Sequence, residues 1–169
     1  MTAPRRDPGA KDRAYDDIVR DLLPRLDRAA SEEAVYEAAV HALAPLPHFD
    51  WTGIYVLREP GVLTLGPYRG APTEHVRIPV GRGICGQSAE RDATVVVDDV
   101  RGEANYLACS LDTRSEIVVP IRVRGVYRAQ IDVDSHTPAA FDAVDRRRLE
   151  ALAERLGARL AALEKEANA

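Results

Sequence analysis

The sequence predicts an α+β fold, with a central, largely antiparallel sheet of six strands and the N- and C-terminal helices packed on one face. Two observations predict it. Apolar residues recur at helical spacing at both ends of the chain, whereas the middle holds short runs rich in β-branched and aromatic residues. Those middle runs are joined by hairpin-length links containing Pro and Gly, and strict strand–helix alternation is absent. A doubly wound parallel sheet is therefore not expected. GRGICG (81–86) is likewise not a GxGxxG turn in a strand–helix context.

The elements follow in order. Residues 1–11 are non-periodic and carry Pro, Arg and Gly, so a disordered tail is expected there, with residues 12–169 forming one domain. Ile18, Leu22 and Leu26 give an amphipathic helix from about Tyr15 to Ala30. Ser31 reads as the N-cap of a second helix, with Glu32 and Glu33 in its first turn. Val35, Ala38, Ala39, Ala42 and Leu43 form its inner face, and Pro45 and Pro47 end it. Strands follow at WTGIYVL (51–57), VLTLGPY (62–68) and HVRIPV (75–80), the first two joined by a Glu59-Pro60-Gly61 turn. VGRGICGQSAERD (80–92) passes from glycines into a short helix-like segment. TVVVDDV (94–100), EIVVPI (116–121) and YRAQIDVDS (127–135) supply the other strands. Phe141, Val144, Leu149, Leu152, Leu156, Leu160 and Leu163 mark a long closing helix.

A chain of 169 residues with 46% apolar content is enough for one core. A net charge of −4 leaves no electrostatic footprint for nucleic acid or an anionic membrane. Arg146-Arg147-Arg148 sits among Asp142, Asp145 and Glu150 and reads as a solvated helix face. The N-terminal arginines precede no apolar h-region, and no run approaches the roughly 18 apolar residues of a membrane span. A cytoplasmic protein is expected. In that reducing compartment two cysteines suit catalytic, redox or buried roles better than a structural staple.

Cys85 lies in GRGICG and Cys109 in NYLACS, too far apart for a CxxC motif. The four histidines show no metal-like spacing around them, so no metal site is expected. Two unrelated buried thiols and a cooperating pair both remain open on this evidence. Glu116 opens an apolar strand, and Asp132 and Asp134 alternate with Ile131 and Val133, so both acids point to one strand face. Such a pair stays ionised only beside water or a cation. A pocket floor that receives an ammonium or holds a transferable proton fits, as does an edge strand with a wet outer face. Trp51 and Tyr55 share a face if WTGIY is one strand, as pocket wall or as core.

Taken together, WTGIY, GRGICG, NYLACSLDTRSEIVVPI and IDVDS, in this order and spacing, resemble the free methionine-(R)-sulfoxide reductase family of GAF domains, over roughly residues 15–164. The resemblance implies a GAF fold and thiol-dependent reduction of free L-methionine-(R)-sulfoxide. It makes Cys109 the nucleophile, Cys85 the resolving thiol, and Glu116, Asp132 and Asp134 the acids that hold the substrate and polarise its S–O bond. Trp51 and Tyr55 fall where the family closes around the substrate methyl group. Thioredoxin or a similar dithiol is the implied reductant, and no organic cofactor is called for. The chain departs from the family pattern at His75, where many members carry a third cysteine. It departs also at Asn105-Tyr106 in place of Gly-His and at Ala129-Gln130 in place of Gly-Val. The alternative expectation is a non-catalytic GAF module that binds a small ligand or senses redox state through its thiols. The terminal helices can either pair in a homodimer or bury their apolar residues within one chain.

Overall fold

The computed structural model describes residues 7–107 and 110–169. Asp7, Ser31 and Asp142 each begin a helix by accepting hydrogen bonds from amides of its first turn, the side-chain role that favours Asp and Ser at such positions. They start α1 (Pro8–Arg28), α2 (Glu32–Leu43) and α4 (Ala143–Ala167), while α3 spans Gly83–Arg91. The strands are β1 (Trp51–Glu59), β2 (Val62–Arg69), β3 (Arg77–Pro79), β4 (Val95–Val97), β5 (Ser115–Val123) and β6 (Val126–Ser135). They form one six-stranded sheet in the order β3-β2-β1-β6-β5-β4, antiparallel at every pairing.

Helices α2 and α4 cover one sheet face, and α1 lies across both of them. The main core sits there: Ile54, Val56, Ile117, Val119, Ile121, Ile131 and Val133 meet Val35, Ala39, Leu43, Leu149, Leu152 and Leu156. Of the apolar residues predicted for the terminal helices, Leu22, Leu26, Phe141, Leu149, Leu152, Leu156 and Leu160 are buried within this single chain, while Ile18, Val144 and Leu163 are half-buried. α3 packs on the opposite face, against β5 and β6 and the edge strands β3 and β4.

Three expectations shift. α1 begins at Pro8, so residues 8–11 of the anticipated tail are helical; residues 1–6 lie outside the described residues. Pro8 and Gly9 read as breakers, yet Pro suits the first helical turn and the Asp7 carboxylate accepts from the Gly9 amide at 2.9 Å. Lys11 then ion-pairs with Asp142 and Asp145, and Asp145 also accepts from Tyr15 Oη at 2.9 Å and contacts His48 Nε2 at 2.8 Å. The strands expected at 75–80 and 94–100 shrink to three residues each, at the two sheet edges, where Pro79 is tolerated. The arginine run does belong to a solvated face, with Arg147 and Arg148 pairing Asp12 of α1 at 2.9 and 2.7 Å.

Gly157 lets α4 lie directly on β5: a Cβ there would stand 2.0 Å from the Arg122 carbonyl oxygen. Gly157→Ala is therefore expected to destabilise the fold despite alanine's better helix propensity. The cost should be about 1–3 kcal/mol, as for other overpacked contacts. Equilibrium urea unfolding measures it, and an unchanged or raised midpoint contradicts the contact.

Candidate active site

The face beneath α3 is built by register. On β6, Gln130, Asp132 and Asp134 point to one side by the two-residue period of a strand. On β1 they stand opposite Tyr55, Gly53 and Trp51, and on β5 opposite Pro120, Val118 and Glu116. Residues directly opposite on antiparallel strands share a face, so one row runs Trp51–Asp134–Glu116 and the next Gly53–Asp132–Val118. The row depends on an irregularity. The turn through Arg124 and Gly125, both at positive φ, pairs Val123 with Val126 and, continued regularly, would set Glu116 opposite Val133. A register shift between Ile121 and Arg122 moves the pairing by one residue and brings Glu116 to the acid face.

Glu116, Asp132 and Asp134 are all buried, at 4%, 0% and 1% exposure. Among the described residues no salt bridge reaches them, and no hydrogen bond from outside the three acids and Cys85 reaches the oxygens of Asp132 or Asp134. Burial pushes Asp132 up to about 6. It raises Glu116 well above the usual range, reinforced by the charges of Asp132 and Asp134, and does the same to Asp134 with Asp132 beside it. Near neutral pH such a cluster retains at least one proton.

Cys85 occupies the first turn of α3 and is buried, its Sγ 3.9 Å from Glu116 Oε1. The Cys85 sulfur and one oxygen each of Glu116 and Asp132 lie within 4.8 Å of one another. Cys109, the other sequence-predicted thiol, lies outside the described residues.

The remaining predicted residues form a wall. Trp51 lies flat over Gly53, where a Cβ would meet its ring at 2.3 Å. The indole stacks on Tyr68 at 5.5 Å and on Tyr55 at 6.3 Å, and its Nε1 donates to the Ala71 carbonyl at 3.1 Å. Tyr55 Oη donates to the His75 carbonyl at 2.8 Å, which places His75 beside this wall.

Sequence reading missed Tyr68, the third ring of the stack, because alternation from Leu63 and Leu65 along β2 lands on Pro67; an irregularity in the β1–β2 register between Gly53 and Tyr55 brings Tyr68 opposite Gly53 instead. It also missed a polar pair, Tyr127 donating to the buried Gln130. In the sequence Asn105 stands out only as a departure from the family pattern. Arg82, at the N-cap position of α3, makes no side-chain cap. Asn105 supplies one from a distant loop: its Oδ1 accepts from the Gly83 amide at 3.0 Å and its Nδ2 donates to the Gly81 carbonyl at 2.9 Å. Leu107, two residues on, packs against Gly83. A groove of about 740 Å³ between β5 and α4, lined by Arg122, Arg124, Glu150 and Glu154, holds none of these residues. The buried acids and thiol are where this chain's chemistry is concentrated.

A family model described as "GAF domain" matches residues 29–161. The chain belongs to the GAF domain family. It is 36% identical over 155 residues to Protein YtsP of Bacillus subtilis, an alignment covering 90% of this chain and 94% of that protein. It is also 36% identical over 111 residues to the free methionine-R-sulfoxide reductase of Escherichia coli, covering 66% of each. Among solved structures, the Neisseria meningitidis free methionine-R-sulfoxide reductase in complex with its substrate superposes with a TM-score of 0.87. That match is 31% identical and covers 99% of both chains. The six-stranded antiparallel GAF sheet and its helices are thus shared with reductases along the full length of this chain.

Two expectations follow from the geometry. Asn105→Ala removes the α3 cap and should cost about 1 kcal/mol in urea unfolding, with Asn105→Asp in between because it keeps the acceptor for Gly83. The second concerns pH. An acid whose folded pKa is raised stabilises the fold fully below its unfolded pKa and loses that contribution as pH rises toward the folded value. For Asp132 the loss falls between about pH 4 and 6, and for Glu116 and Asp134 it extends higher. Asp134→Asn should therefore raise the Tm of the ligand-free protein by about 2–4 °C at pH 8 and by much less at pH 5. An equal Tm difference at both pH values contradicts the buried-charge account.

Proposed function

We propose that this chain reduces free L-methionine-(R)-sulfoxide to methionine with thiol chemistry. The observation that carries the reading is the buried acid row of Glu116, Asp132 and Asp134, uncompensated among the described residues and set beside Cys85. A free amino acid brings an ammonium that two ionised carboxylates can receive, and a sulfoxide oxygen that needs a proton from a third group. Full-length similarity to a reductase solved with its substrate supports the same reading.

In the proposed cycle the Cys109 thiolate attacks the sulfoxide sulfur while Glu116, aided by Asp132 or Asp134, donates a proton to the oxygen. The oxygen then passes to Cys109 as the substrate S–O bond and the transient bond between the two sulfurs break, leaving Cys109 sulfenic acid and the substrate sulfur reduced to a thioether. The Cys85 thiol then attacks the Cys109 sulfur, expelling water and forming a disulfide. A dithiol of the thioredoxin kind restores both thiols by exchange in a reducing cytoplasm. Leu107 packs on the first turn of α3, the turn that carries Cys85. Trp51, Tyr55 and Tyr68 close around the substrate's methyl end.

The test is single-turnover methionine yield with separate R and S epimers of the free sulfoxide. The R form should be reduced and the S form largely ignored. Cys109→Ser should yield nothing, because an unassisted serine hydroxyl is hardly ionised. Cys85→Ser should make about one methionine per chain and then stall as a dimedone-trappable sulfenic acid. Glu116→Gln should slow reduction by about 10²–10⁴-fold. Equal turnover of both epimers, or full activity in both thiol variants, overturns the assignment. Binding of the sulfoxide without any turnover returns the chain to a ligand-sensing role.

A further inference from the structure

We propose that the reduced, substrate-free chain binds one zinc-class divalent cation through Cys85, Glu116 and Asp132, and that the cation blocks the substrate site. Three donor atoms no more than 4.8 Å apart, with the Sγ–Oε1 edge at 3.9 Å, define a triangle that an ion can occupy. With no edge longer than 4.8 Å, small side-chain adjustments let one ion reach all three donors near the roughly 2.3 Å of a zinc–thiolate bond and the 2.0–2.2 Å of zinc–carboxylate bonds. A second observation points to a cation independently. Beyond Glu116 and Cys85 themselves, nothing partners the oxygens of Asp132 at 0% exposure, and both oxygens of Asp134 are unpartnered at 1%. Folding has brought negative charge together here, and no basic side chain among the described residues answers it in a salt bridge.

The donor set selects the ion. One thiolate with two carboxylates suits zinc or cobalt, whereas magnesium prefers six oxygens and retains its water. Three protein ligands leave a fourth coordination position open. On binding, the Cys85 proton and any proton held among the acids pass to solvent, and no redox change occurs. These are the carboxylates assigned above to the substrate ammonium, so the blocking half of the inference rests on the proposed function. The binding half does not.

The experiment titrates cobalt(II) into protein reduced with a phosphine and freed of thiol reductants. A thiolate-to-cobalt charge-transfer band should saturate at one cobalt per chain, disappear on adding zinc and resist excess magnesium. It should be absent in Cys85→Ser, and Asp132→Asn should weaken cobalt binding at least about tenfold. Circular dichroism checks that each variant folds, and Glu116→Gln serves in place of any that does not. Free R sulfoxide should compete with cobalt, and zinc should inhibit turnover. A band that fails to saturate, or that persists unchanged in Cys85→Ser and Asp132→Asn, overturns the cation site. Cobalt binding with these features but without competition or turnover leaves the site standing and overturns the substrate assignment instead.

Discussion

Three carboxyl groups share one face of two neighbouring strands with no salt bridge among the described residues to relieve them, and the rest of the molecule is arranged around that constraint. Glu116 and Asp134 stand directly opposite each other, an arrangement that destabilises a sheet when both are charged. The stability that tolerates it comes from the other face. There Ile117, Val119, Ile121, Ile131 and Val133, alternating along the same two strands, are buried under α2 and α4. Each strand is thus split lengthwise, with odd residues holding the fold and even residues holding the chemistry. The split also explains why the covering over the acids is slight, a single short helix and the segment around Tyr106 and Leu107.

Much of this was legible in the sequence, because period and composition act locally. The four longer strands, the Ser31 cap, the closing helix and the pairing of Asp132 with Asp134 on one face all follow from neighbouring residues. What was not legible depends on partners distant along the chain. The edge strands are short because pairing on one side alone supports only Arg77–Pro79 and Val95–Val97. α1 extends back to Pro8, where Lys11 meets acids more than a hundred residues away.

The acid row shows the same limit most clearly. Alternation places Asp132 and Asp134 together, but it cannot say which residue of β5 faces them. That depends on a one-residue slip between Ile121 and Arg122, and nothing in IRVRGV announces it. Without the slip, Glu116 would belong to the apolar face, where a charged carboxyl has no place. Family resemblance located Glu116 where physical reading of one strand could not. The Asn105 cap is hidden for a related reason, since it joins segments 22 residues apart that share no pattern.

Trp51 is the chain's one tryptophan, and it stands in the wall of the site, ring against ring with Tyr55 and Tyr68 and over Gly53, whose strand neighbour is Asp132. Every photon emitted by indole in this protein therefore originates beside the buried acids. Ultraviolet excitation reads that one place without a dye or a label. Changes in the charge or contents of the cavity register as changes in emission intensity and wavelength. The large apolar core on the other side of the sheet contains no indole, and its Tyr15 and Tyr36 emit at shorter wavelength, apart from that signal.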